Sequence, residues 1–273
     1  MLIDITNTCL MGCPHCLQRS TEEPQHMTME IVEQAYAFGK ASGANVILIS
    51  GGEPTMHPEW EKIVRKFCAG FFNVSFISNG HWLFDPSQVN AMLDLLKEFD
   101  NLIIQLTSVD GLYKDHKKTC DAVALFKVLL KRHGLKHRLT LINGPIHMMS
   151  LGRACEHEEY LKQAKEDMAG TTSCFVSALA AAQCDTLAKV IANLEPRGKF
   201  CHPLVDWKVN LHWSESWLCP HFAHVSEPYA DIERKALAWR PCGGCPDYVK
   251  LLERKDPKYV MAKMLMAMKG RPL

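Results

Sequence analysis

No run in this sequence is apolar for long enough to cross a bilayer: the longest strongly apolar stretch, "NVILIS" at 45–50, falls far short of the roughly 20 residues a spanning helix needs. Nothing at the start of the chain resembles a signal peptide. Charge of one sign is also missing. The 31 Lys and Arg residues against 30 Asp and Glu leave a formal net charge of +1, so bulk electrostatics give no reason to expect nucleic acid or a charged membrane surface as partner. No internal repeat is found, and 47% hydrophobic with 22% charged residues is ordinary globular usage that gives no support to disorder.

What is present is a chain of 273 residues, long enough to bury a sizeable core as one large domain or as a medium domain with a small one. It carries 12 cysteines. Without a secretion signal these argue for a cytoplasmic protein with reduced thiols, and for metal or catalytic roles over a disulfide framework. Cys9, Cys13 and Cys16 form one group and Cys242 and Cys245 another, while Cys68, Cys120, Cys155, Cys174 and Cys184 are scattered and read as small buried hydrophobes.

Through the first half, strand candidates alternate with amphipathic helical stretches. The strands are "MLIDIT", "NVILIS", "NVSFIS", "LIIQLTSVD" and "HRLTLIN"; the helices fall near 28–42, 58–69, 86–98 and 119–133. That beat predicts parallel pairing with right-handed crossovers, and so an α/β fold with an open or partial (β/α) barrel whose chemistry sits at the C-terminal ends of its strands. Residues 1–155 form this core, 156–199 a helical bridge, and 200–273 a second, small domain that begins with a strand-like pair, "LVDWKVNLHW" and "SWLCP".

The stretch "TNTCLMGCPHCLQ" sets Cys9, Cys13 and Cys16 in a C-x3-C-x2-C pattern just after the first strand. Spacing alone leaves two readings open. A zinc site would need a fourth ligand, with His15 as candidate, whereas an iron-sulfur cluster on three thiolates would keep one iron open to a small molecule. "SGGEPTMHP" ends the second strand, where Gly51 and Gly52 permit close backbone approach to a ligand and Glu53 can receive an ammonium group. Asn79 with Gly80 is by itself an ordinary turn, and Ser78 by itself a helix cap. His57, His81, His116 and His147 are read as structural.

Taken in order, C-x3-C-x2-C, "GGEP", "FISNG" at 76–80, "LTSVDG" at 106–111 and "LGRA" at 151–154 resemble the radical SAM superfamily over nearly the whole chain. The resemblance implies a [4Fe-4S] cluster on Cys9, Cys13 and Cys16 whose open iron is chelated by S-adenosylmethionine (SAM). It further implies contacts to SAM from Gly51, Gly52 and Glu53, from Ser78 and Asn79, from Arg153 toward the carboxylate, and from His15 toward the adenine.

In the last third, Cys201 and Cys219 are separated by seventeen residues and precede the pair in "CGGC". By spacing alone, Cys201, Cys219, Cys242 and Cys245 suit a structural zinc equally well. Behind a radical SAM core they resemble the twitch domain, the shortened relative of the SPASM domain, which implies one auxiliary [4Fe-4S] cluster and thus two clusters in all. The departure is Glu215, which stands where relatives commonly have glycine. The implied activity is hydrogen abstraction by a 5'-deoxyadenosyl radical followed by net two-electron oxidation of a small molecule, as in the twitch-containing aminocyclitol dehydrogenase, with an external one-electron donor such as flavodoxin or ferredoxin. The rival is modification of a ribosomally made peptide, disfavoured by the short stretch before the cysteine motif. A non-catalytic iron-sulfur or zinc protein is the third reading.

Overall fold

The computed structural model describes residues 1–107, 116–142, 153, 156, 180–181, 183–194, 203–213 and 218–239. Cys201, Cys242 and Cys245, most of the helical bridge and residues 108–111 of "LTSVDG" lie outside them, as do the side chain of His116 and the whole of His147.

The alternating apolar runs become β1 (Leu2–Thr6), β2 (Val46–Gly51), β3 (Asn73–Ser78), β4 (Leu102–Leu106) and β5 (Leu139–Leu141), joined by α1 (Met29–Ala41), α2 (Trp60–Gly70), α3 (Pro86–Glu98) and α4 (His116–Arg132). Each successive strand pairs in parallel with the one before. Period-2 alternation then divides the strand side chains between two faces. Ile3, Ile5, Ile47, Ile49, Val74 and Phe76 enter the main core, and Leu2 and Leu48 point to the opposite face, where they meet Leu204.

Local sequence fixes the helix that covers β3 and β4. Asp85 accepts from Ser87 N at 2.8 Å, Pro86 supplies a pre-set φ at the first helical position, and Lys97 lies in the last turn, so both ends of α3 are defined by capping chemistry. α2 buries Trp60, Ile63, Val64 and Phe67 at i, i+3, i+4, i+7 spacing, each worth about 1.5–3 kcal/mol of apolar burial. Trp82 meets Phe126 edge to face at 5.1 Å and ties the turn after β3 to α4.

The sheet does not stop at β5 and β1. Its order is β5-β4-β3-β2-β1-β6-β7-β8, with β6 (Leu204–Val205) parallel to β1, and β7 (Asn210–His212) and β8 (His221–His224) antiparallel beyond it. The chain therefore re-enters the core sheet within the range assigned from sequence to the small domain. "LVDWKVNLHW" forms the β6–β7 hairpin as expected. Of "SWLCP", Ser216 and Trp217 lie outside the described residues and Leu218 and Cys219 are in a turn; the next described strand is at His221–His224. Two helices, α5 (Leu187–Leu194) and α6 (Tyr229–Ala238), complete the described elements.

Candidate functional site

The cysteine loop is folded by its own backbone. After β1 the chain runs out and returns alongside itself, with Asn7 N donating to Gln25 O at 2.8 Å, Cys9 N to Thr21 O at 2.7 Å and Thr21 N to Asn7 O at 3.2 Å. Cys13 and Cys16 close a turn through Cys16 N to Cys13 O at 3.2 Å. Arg153 fastens that turn from far along the chain: its N–H donates to Cys16 O at 2.9 Å, Nη1 to Cys13 O at 2.9 Å, and Nη2 to Ser20 O. The structure thus brings Arg153 to the cysteine turn, against the carbonyls of Cys13, Cys16 and Ser20. A guanidinium has five N–H donors, so two side-chain bonds leave others for a carboxylate.

Gly51 and Gly52 pack the end of β2 against the start of this loop. Gly52 N donates to Thr6 O at 2.8 Å and Glu53 N to Thr8 O at 2.9 Å. A Cβ on Gly51 would lie 2.2 Å from Thr6 O, with φ at +136°, and one on Gly52 would lie 2.4 Å from Thr8 O. The close approach for which these glycines are needed is thus to the protein's own backbone.

Glu53 is 1% exposed and joins the ends of β2 and β3. Its carboxylate accepts from Thr55 N at 3.2 Å, Thr55 Oγ1 at 2.8 Å, Ser78 Oγ at 2.9 Å and Asn79 N at 2.8 Å. Four donors fill the roughly four lone-pair sites of a carboxylate. Burial raises its pKa and outweighs the lowering by these donors. Ser78 Oγ is fully committed as well, giving its proton to Glu53 and accepting from Gly80 N at 2.9 Å and Trp82 Nε1 at 3.0 Å. A ligand contact from either side chain requires one of these internal bonds to give way. Asn79 faces the cysteines directly, donating Nδ2 to Cys9 Sγ at 3.5 Å while its Oδ1 accepts from His81 N at 2.9 Å. Asn79→Ala should remove both and lower stability by about 1–2 kcal/mol, read as a lower urea midpoint at unchanged m-value.

The thiols are buried or half-buried: Cys9 and Cys13 are sealed in, and Cys16 is partly open with its Sγ 3.7 Å from Ser20 Oγ. His15 is buried between Cys13 and Cys16. Burial, with the charges of Glu53, Cys13 and Cys16 adding to it, pushes the Cys9 thiol up to about 12 against a lowering bond from Met11. Among the described residues no three His, Cys, Asp or Glu side chains converge closely enough to hold one metal ion. A closed zinc site needs four donors about 2.0–2.3 Å from one point, whereas a cubane cluster takes each thiolate on a separate iron.

His57 is structural as expected, with Nε2 2.8 Å from Met27 O and Nδ1 accepting from Glu59 N at 3.0 Å. Of the auxiliary cysteines, only Cys219 lies among the described residues, in the turn before β8 and partly buried. Sequence reasoning missed Asp4 and Asp206. Both are buried carboxylates, Asp4 bonded to Gln18 of the cysteine loop and Asp206 directly after β6, and the available signal was a lone acid inside the otherwise apolar runs "MLIDIT" and "LVDW".

Among known proteins, the chain is 29% identical over 85 residues to a GTP 3',8-cyclase of Actinobacillus succinogenes, covering 29% of this chain and 25% of that protein. It is 26% identical over 150 residues to the antilisterial bacteriocin subtilosin biosynthesis protein AlbA of Bacillus subtilis, covering 50% and 32%. The matches thus span about a quarter to a third of the length of these relatives. In fold it is similar to BtrN, solved in complex with AdoMet and 2-DOIA, with a TM-score of 0.54 at 12% identity over 94% of this chain and 86% of that one. The family profile described as "Radical SAM superfamily" matches residues 3–146, more than half of the 273 residues, and the chain belongs to that superfamily.

Proposed function

We propose that this radical SAM enzyme holds a [4Fe-4S] cluster on Cys9, Cys13 and Cys16, binds SAM at its open iron, and oxidises a small polar substrate by two electrons. The observation that carries the reading is the cysteine loop itself: three thiols presented at the C-terminal end of β1, pinned through Arg153 and the glycine-locked end of β2. The donor set fits such a cluster, because a thiol buried like that of Cys9, with Glu53 and its neighbouring cysteines disfavouring its anion, would need a cationic core to hold it deprotonated.

When bound, the first cluster supplies an electron that splits SAM into methionine and a 5'-deoxyadenosyl radical able to take hydrogen from the substrate, and an auxiliary cluster takes the electron left behind. The chain's own residues position and exclude water. Asn79 donates to Cys9 Sγ, Arg153 holds the Cys13–Cys16 turn and would offer further N–H groups to the SAM carboxylate, and His15 would serve the adenine. Glu53 and Ser78 hold the β2 and β3 ends in register; with Gly51 and Gly52 they complete the SAM-facing rim. A flavodoxin or ferredoxin in the cytoplasm is the electron donor of this reading. Anaerobic reconstitution with dithionite tests it: SAM should yield 5'-deoxyadenosine, and its absence would reject the reading.

Cys201, Cys219, Cys242 and Cys245 are the ligands proposed for the auxiliary cluster, in a twitch-like domain within residues 200–273. Replacing Cys219 and Cys245 together should lower iron from about eight to about four per chain, with SAM still cleaved and little oxidised product formed. Full iron in a folded variant would reject the ligands; half the iron with normal product would reject the electron-acceptor role. A second reading rests on the similarity to AlbA, named for bacteriocin biosynthesis: the substrate is then a ribosomally made peptide, and deuterium transfer from a labelled precursor peptide into 5'-deoxyadenosine would favour it.

A further inference from the structure

The face of the sheet opposite the main core is apolar at one end and polar at the other. Leu2, Leu48 and Leu204 form its apolar layer. One step along the strands toward the cysteine loop, Asp4 on β1 lies in register with Ser50 on β2, and Asp206 follows directly after β6, whose Leu204 and Val205 pair with Leu2 and Ile3.

The two buried carboxylates differ in how they are satisfied. Asp206 accepts from Lys208 N at 2.8 Å, Asn210 N at 2.9 Å and Asn210 Nδ2 at 2.9 Å, and its Oδ2 lies 3.1 Å from His212 Nε2. Its four acceptor sites are filled by its own hairpin. Burial raises its pKa, but the bonds from His212 and Asn210 outweigh that and hold it below the usual carboxylate range. Asp4 is equally buried, at 1% exposure, yet only its Oδ2 is met, by Gln18 Nε2 at 2.7 Å. Among the described residues Asp4 Oδ1 has no hydrogen-bond partner. A buried, unpaired carboxyl oxygen costs stability on the order of 1–3 kcal/mol, and nothing in the fold of β1 requires it.

We infer that Asp4 is the receptor for an ammonium group on the substrate, which takes the place of the Gln18 amide and binds both carboxyl oxygens on the face of the sheet opposite the main core. The amide already shows where an N–H donor sits. A cation there meets Asp4 with the ionised Asp206 behind it, so a neutral group of the same shape gains much less. Gln18 stands two residues after Cys16, so the displacement is felt in the cysteine loop. In the free protein, burial and the Asp206 charge raise the Asp4 pKa well above 3.8. A raised folded-state value means stability is lost as pH rises through it, and asparagine at this position removes that loss.

The inference deepens the radical SAM reading by naming the substrate's charge, and its test separates the two. Cyclohexylamine and cyclohexanol, matched in shape and different in charge, are compared by saturation-transfer NMR on the anaerobically reconstituted full chain. Wild type should prefer the amine by tenfold or more. Asp4→Asn should abolish the preference while melting no lower than wild type at pH 8, and Gln18→Ala should keep it. Equal binding by wild type, a preference that survives Asp4→Asn, its loss in Gln18→Ala, or a melting point several degrees lower in Asp4→Asn would each overturn the inference. So would loss of the preference on adding saturating SAM, which would assign the site to SAM's own ammonium. An amine preference in protein that binds no SAM would uphold the site and overturn the radical reading.

Discussion

Replacing Cys13 by alanine should abolish formation of 5'-deoxyadenosine from SAM and remove about four irons per chain. The expectation follows from where Cys13 sits. Its carbonyl receives both the Cys16 N–H and Arg153 Nη1, so the backbone of the turn persists without the sulfur and the variant should stay folded. What it loses is one of three thiolates, and a cluster cannot keep its geometry with an iron unheld on that side. Cys68→Ala is the matching control. That thiol is on the buried face of α2, in the main core, and is pushed up to about 12 by burial alone. Its loss should cost about 1 kcal/mol of packing and leave SAM cleavage intact. Iron content, visible absorbance and SAM turnover measured together decide the matter; continued cleavage by folded Cys13→Ala would sink the cluster assignment.

Gly52→Ala should destabilise the protein by about 3 kcal/mol, and Gly51→Ala by at least as much, read from urea unfolding. In Gly52→Ala the new methyl meets Thr8 O at 2.4 Å and the carbonyl carbon of Asn7 at 2.8 Å. These are backbone atoms bonded into β1 and the returning limb of the loop, so no flexible side chain can move aside. Gly51 adds a φ of +136° that an L side chain rarely adopts. The strand end must then separate from the cysteine loop, and the bonds Gly52 N to Thr6 O and Glu53 N to Thr8 O go with it. Iron uptake should fall in parallel with stability. A variant as stable as wild type would show that the β2 end is not locked to the loop.

Much of the first half was legible in the sequence because its signals are local. "NVSFIS" was expected as a strand and is β3; the helix expected near 86–98 is α3, with Asp85 and Pro86 marking its start. The cysteine loop, the glycine-bearing strand end and Ser78–Asn79 come together as the ordered motifs imply, since consecutive parallel strands bring their C-terminal ends to one edge. What was not legible depends on pairing between distant segments. The β1–β6 contact has no marker in either strand. The strand at His221–His224 could not be told from the neighbouring "SWLCP" by pattern alone. The saturation of Glu53 and Ser78 by internal donors follows from three-dimensional register, which composition does not encode.

The seam between β1 and β6 divides the site by time as well as by space. Apart from those of Arg153, the contacts described above that hold the three cysteines come from the first 79 residues, where β1, β2 and β3 pair in succession. The Asp4–Asp206 end of the face opposite the main core closes only when β6 docks on β1, across partners more than two hundred positions apart and through two paired residues. Contacts so distant in sequence form late, because loop closure must come first. During synthesis the cysteine platform can therefore assemble while the strand beside it is still unmade, so that cofactor loading would precede completion of the face that carries Asp4 and Asp206.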